Sequence, residues 1–261
     1  MKPEIIIFGK ILPSYGVTGV IGFLAGMLLV FILSKKYGGI FDSAVCIYLM
    51  GMLGAMGGAK LLYLIIEIRS LIKDLPYAFE YKEAFIDKYI RGGLVFYGGM
   101  LGALIGVVIF IRMFKVDFNL YRNIVMPGII LFSAFGRVGC FLTGCCYGKE
   151  TDSVIGVVFR NAAIADHPVK LIPTQLIEAV FDLLLVVLFI YLGRSKKLDD
   201  YLIRLYLVIY AVFRFILEFF RGDSIRGFFL GLSSSQWISI IILISVAVMT
   251  IISSRQKEKT A

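Results

Sequence analysis

The sequence predicts an all-α membrane protein of about seven transmembrane helices, with an interfacial arm between the second and third spans. Three observations carry that expectation. Of the 261 residues, 59% are hydrophobic and 17% charged, whereas a soluble domain holds roughly 45–50% apolar and about 25% charged residues. The apolar surplus therefore faces lipid. Apolar runs of spanning length recur along the chain, and a segment crossing hydrocarbon must satisfy its own backbone hydrogen bonds, which makes each run a helix. The net charge of +9 sits mostly in short Lys/Arg clusters between the runs, with no basic stripe interleaved with aromatics. Membrane topology accounts for it, and no nucleic-acid partner is expected.

Crossing about 30 Å of hydrocarbon takes roughly 17–25 residues. The first run, 17–33, lacks a small-residue cleavage site and is followed by Lys35 and Lys36, so it is a retained span and not a removed signal peptide. The second, 43–66, contains Cys46, whose simplest role is that of a small buried residue. Residues 67–91 carry many charges of both signs and are expected to form an interfacial arm or short amphipathic helices. The remaining runs are 93–111, 124–143, 174–192, 201–220 and 236–252. No long internal repeat or soluble insertion interrupts them, so residues 1–261 are expected to form a single polytopic domain.

Lys/Arg density in the short loops sets orientation. Lys35 and Lys36; Arg112, Lys115 and Arg122; Arg194, Lys196 and Lys197; and Arg255, Lys257 and Lys259 occupy alternate connections. That side is expected to be cytoplasmic, which puts the N-terminus outside and the C-terminus inside. Glycines at every fourth position, Gly22 and Gly26, Gly54 and Gly58, and Gly98, Gly102 and Gly106, place small surfaces on one helix face where another backbone can approach closely.

Charges inside spans are costly and point to function. In Arg214-Phe-Ile-Leu-Glu218-Phe-Phe-Arg221 the spacing of four and three puts all three charges on one helix face. They can pair and still leave positive charge; the alternative is an ion-paired helix end with Arg221 at the interface. Lys60, Tyr63 and Glu67 also share a face, and Lys60 needs either an ion pair with Glu67 or an anion. The third element runs from Gly136 to Gly148, with four glycines and Arg137. It is expected to unwind the helix end and to expose backbone N–H groups suited to a phosphate. Together these point to a cationic site for an anionic lipid headgroup.

At these residues the chain resembles the bacterial prolipoprotein diacylglyceryl transferase family, whose signature has the form G-R-x-G-N-F-x-N-x-E-x-x-G. Gly136, Arg137, Gly139, Phe141 and Gly148 fit it with the spacing intact. Tyr15-Gly16 resembles the family's N-terminal Tyr-Gly, and Gly98-Gly99 its His-Gly-Gly motif with Tyr97 at the histidine. Pro173-Thr174-Gln175-Leu176 with Glu178 is similar to Pro-Ser-Gln-Leu-Tyr-Glu, and Arg214 to Arg221 to Arg-x-x-x-Glu-Phe-x-Arg. The resemblance implies a seven-span fold in the bacterial cell membrane. It also implies transfer of a diacylglyceryl group from phosphatidylglycerol to the lipobox cysteine of a prolipoprotein, without a cofactor. Arg137 and Arg214 would hold the phosphate and stabilise its growing charge, and Tyr15 would line the site. Gly136, Gly139, Cys140, Cys145, Gly148, Lys60, Glu218 and Arg221 complete the candidate substrate-binding set.

The sequence departs from the family pattern at Tyr97, Cys140, Thr143 and Cys145, which stand for His, Asn, Asn and Glu. A tyrosine with a reference pKa near 10 is a poor base at neutral pH. Lipid binding with a changed acceptor, or a non-catalytic lipid carrier, therefore stays open beside the family activity. Cys140, Cys145 and Cys146 can pack a Gly-rich turn, pair as a disulfide or serve a polar or redox role. A metal wants four ligands, yet His167 lies in an outer loop and Cys46 in another run, so no metal is expected. His167 and Trp237 are expected to be an exposed loop residue and an interfacial anchor.

Overall fold

Apolar runs whose backbones have no solvent partner become helices, and helices account for most of the computed structural model, which describes residues 3–7, 9–93, 95–116, 118–159, 168–193, 201–222 and 228–260. The long ones are α1 (Ser14–Tyr37), α2 (Phe41–Ile66), α5 (Phe96–Phe114), α6 (Phe118–Thr143), α7 (Thr174–Leu192), α8 (Leu202–Glu218) and α9 (Ser234–Thr260). Each expected run maps onto one of them. At its C-terminal end α1 overruns the apolar stretch into Lys35 and Lys36, and α9 continues past its apolar stretch to Thr260. By contrast α5 starts only at Phe96, because Gly93 takes a φ of 67° that no helix accommodates.

Among the described residues, five helical stretches are long and apolar enough to cross a membrane: Ser14–Tyr37, Phe41–Ile66, Tyr121–Thr143, Thr174–Leu192 and Ser234–Ser253. The apolar stretch Gly98–Phe114 is shorter, and α8 has 17 residues, about 26 Å at a 1.5 Å rise. Leu24 and Leu28 on α1, Leu184 and Val187 on α7, and Ile241 and Ile244 on α9 are all exposed. Apolar area on that scale, repeated on several helices, fits a surface solvated by lipid. The protein is an all-α membrane protein, with short two-stranded hairpins as the only sheet among the described residues.

The chain divides into two compact units, Met1–Leu29 with Met126–Ala261, and Val30–Val125. In the first, Ile130, Leu185, Val186, Phe189 and Leu202 form a buried core, and Phe181 of α7 stacks on Phe213 of α8 at 3.6 Å. Gly22 lies against Phe135, whose Cβ would be 2.6 Å from any Cβ added there. A hairpin of strands Val157–Phe159 and Val169–Leu171 packs Phe159 and Leu171 against Phe141 and Tyr147.

In the second unit α2 and α5 meet backbone to backbone. A Cβ on Gly54, Gly58, Gly98 or Gly102 would collide with a carbonyl oxygen of the facing helix, so the four-residue spacing does bring the chains together. The expected arm consists of α3 (Ile68–Asp74), a 3-10 turn at Leu75–Tyr77, α4 (Lys82–Ile86) and a π-helical turn at Asp87–Arg91. Lys88 pairs with Asp74 at 2.9 Å, and the Tyr89 hydroxyl donates to the same carboxylate at 2.7 Å.

Candidate functional site

Three helices of the first unit converge on one carboxylate. From α6, Arg137 Nη2 lies 2.8 Å from Glu178 Oε1, and from α8, Arg214 Nη1 lies 3.4 Å from Glu178 Oε2. Glu178 stands in the second turn of α7 and is 1% exposed. The Tyr210 hydroxyl, one turn before Arg214, donates to Glu178 Oε1 at 3.1 Å. Arg214 also pairs with Glu218 at 3.2 Å and donates to Ser235 Oγ of α9 at 3.4 Å. Two guanidinium groups in an apolar interior would repel and lose hydration, and Glu178 offsets both at once. Their side chains keep 18% and 12% exposure. Each guanidinium has five N–H donors in a planar fork, so an arriving anion can still be met by the edges that Glu178 does not engage.

The Gly-rich segment stays helical further than expected and unwinds only at Gly144. Residues 136–143 remain helical, and α6 ends only at Thr143. Gly144 then turns at φ 78° and Cys146 at φ 64°. Three of the N–H groups beyond the helix have protein partners: Gly144 donates to Phe141 O, Cys145 to Cys140 O and Gly148 to Ile172 O. Gly148 is needed for close approach, since a Cβ there would lie 2.7 Å from Ile172 Cβ and 2.8 Å from Phe220 O. It bridges to Arg221, which is 7% exposed. Buried Thr174 donates to Cys146 O at 2.8 Å, and Gln175 to Cys145 O. Hydrogen bonds from Cys140 and Cys145 hold the Cys146 thiol below its ordinary pKa, against the effect of burial and helped by the charges of Arg221 and Arg137.

Residues 4–252 match the family described as prolipoprotein diacylglyceryl transferase. The chain belongs to that family. It is 37% identical over 245 residues to the phosphatidylglycerol–prolipoprotein diacylglyceryl transferase of Clostridium tetani, covering 94% of each chain. It is 33% identical to Clostridium perfringens transferase 2, over 91% of this chain and 90% of that one. A Dehalococcoides mccartyi transferase is 36% identical over 65% of this chain and 64% of its own.

Of the candidate site residues, Arg137, Cys140, Cys145, Arg214, Glu218 and Arg221 all belong to the first unit. Tyr15, in the first turn of α1, lies against Gly139 and within electrostatic reach of Arg137 and Cys140. An added Cβ on Gly136 would meet no atom within 4 Å beyond its chain neighbours and its own helix backbone, so the space beside Gly136 is open. Lys60 belongs to the second unit. Its ammonium donates to the carbonyls of Gly92 and Gly93, which partly solvate it. Tyr97 opens α5, with its side chain outside the described residues. His167 and the cluster Arg194, Lys196 and Lys197 also lie outside them, and Trp237 sits in the first turn of α9.

The junction role of Glu178 was missed in the sequence, although a signal for it existed. Glu178 and Asp182 are acidic residues four apart inside an apolar run, and the cost of intramembrane charge singles them out as it does Arg214. Asp182 is fully buried. Tyr210, four residues before Arg214, shares its helix face by the same spacing rule.

Proposed function

We propose that this chain transfers the diacylglyceryl group of phosphatidylglycerol to the thiol of a prolipoprotein's lipobox cysteine. Sulfur forms a bond to the diacylglyceryl carbon as the carbon–oxygen bond to phosphate breaks, and the electron pair leaves on the phosphate oxygen. The phosphodiester monoanion thereby becomes a phosphomonoester with an added negative charge, and the thiol proton passes to solvent or to that phosphate. Arg137 and Arg214 stabilise the charge as it grows, because pre-aimed cationic donors in a low-dielectric site need no reorganisation at the moment of reaction. Glu178, Tyr210 and Glu218 hold the two guanidinium groups in place. The convergence of Arg137 and Arg214 on Glu178 carries this reading, and the space beside Gly136 supports it.

Tyr97 suits hydrogen-bond donation more than proton abstraction, given its reference pKa near 10. Seven spans, with the N-terminus outside and the C-terminus in the cytoplasm of a bacterial cell, complete the proposal, supported by the alternate basic connections. The test uses purified protein, labelled phosphatidylglycerol and a lipobox peptide. Thioether-linked product is expected, with a rate at least about 100-fold lower in Arg137→Ala and Arg214→Ala. Bound lipid without any thioether product, or full rates in both variants, would overturn the reading.

A further inference from the structure

Counting ligands in the sequence argues against a metal, but the fold changes the premise of that count. The sulfurs of Cys140, Cys145 and Cys146 lie within 4.8 Å of one another. Cys140 comes from the last turn of α6, and the left-handed turn at Gly144 and Cys146 folds the other two thiols back toward it. A d10 ion with metal–sulfur bonds of about 2.3 Å in a trigonal arrangement sets its sulfurs about 4 Å apart. Closing the observed triangle onto such an ion takes shifts of less than about 1 Å.

We propose that Cys140, Cys145 and Cys146 form a three-thiolate site for one thiophilic d10 cation, of the Zn²⁺ or Cd²⁺ type, with a fourth position open on the Cys145 side. Three protein ligands and one exchangeable position is a standard zinc arrangement. Cys140 is buried and Cys145 exposed, so the site has a sealed side and an entry path. The turn is fixed before any ion arrives: Thr174 and Gln175 hold the carbonyls of Cys146 and Cys145, and Thr143 Oγ1 lies 3.5 Å from Cys145 Sγ. Outer contacts of this kind orient metal ligands. A divalent ion with three thiolates carries one net negative charge, which the guanidinium groups of Arg137 and Arg221 within electrostatic reach of Cys146 offset. Hard cations such as Mg²⁺ prefer oxygen ligands and are refused. Binding releases the thiol protons to solvent.

The test titrates the reduced full chain in chelator-free detergent with Cd²⁺, watching the ultraviolet thiolate-to-metal charge-transfer band. Saturation at one ion per chain is expected, with proton release, and with no change on adding Mg²⁺. Cys145→Ser, at an exposed position that folding should tolerate, weakens binding about tenfold or more; Cys46→Ser does not. The proposal fails if no band forms, if Cys145→Ser and Cys146→Ser both bind as the parent does, or if Cys46→Ser abolishes the band. No lipid or acceptor enters this measurement, so its failure leaves the transferase reading untouched.

Discussion

Glu178 holds two cations from different helices, and its neutral isostere shows what that charge does. Glu178→Gln keeps the volume but leaves Arg137 and Arg214 facing each other without the shared carboxylate. Breaking a buried ion pair from one side costs about 3–5 kcal/mol when the charge left behind loses its counter-charge; here Arg137 loses the carboxylate at 2.8 Å, while Arg214 keeps Glu218. The expected outcome is a lower thermal midpoint in detergent together with loss of transferase rate. Added phosphatidylglycerol should restore part of the midpoint, since its phosphate replaces the missing anion. A variant as stable and as active as the parent would remove Glu178 from the site. The arginines were legible in the sequence because charge inside an apolar run is conspicuous; their partner was less so, because a single Glu near a helix start also reads as an ordinary interfacial residue.

At the scale of elements, α2 and α5 are held by the absence of side chains. Gly102→Leu places a bulky group against the Gly54 carbonyl and Gly58 Cα, and overpacking of this kind costs about 1–3 kcal/mol or more. The variant should express poorly or melt earlier, whereas Gly57→Ala, where an added Cβ meets nothing within 4 Å, should match the parent. The arm gives a pH prediction. Hydrogen bonds from Lys88 and Tyr89 lower the pKa of Asp74 below its ordinary 3.8. A depressed carboxyl adds order at pH values above 3.8 and loses it as pH falls through the folded value, so the arm should be protected at neutral pH and loosen in acid. Hydrogen exchange in residues 68–91 measures this, and Asp74→Asn should show acid-like exchange at neutral pH. Spacing made the glycine contacts legible. The helical continuity of residues 136–143 was not, because glycine content alone cannot tell a helix packed at Gly139 against Thr18 and Tyr15 from one that unwinds.

For the whole molecule, composition and apolar length carry the fold class, while the span count depends on helices that compromise between lipid and chemistry. α8 is the clearest case: it buries Glu218 and largely buries Arg214 in the first unit, so its hydropathy falls just where its function lies. Orientation is open to direct measurement. If alternate connections carry the cytoplasmic charge, alkaline phosphatase fused after Asp152 is active, because that loop is outside, and the same enzyme fused after Ala261 is inactive. Fluorescent protein at the two positions should give the reverse pattern, since it matures only in the cytoplasm. The basic clusters bias each short loop at roughly 1 kcal/mol per residue near an anionic leaflet. Replacing Lys35 and Lys36 with Gln should therefore weaken the pattern without inverting it, since three further clusters still vote the same way. Phosphatase activity at the C-terminus of the parent chain would reverse the orientation and put the Arg137–Glu178–Arg214 junction nearer the wrong leaflet for an exported prolipoprotein.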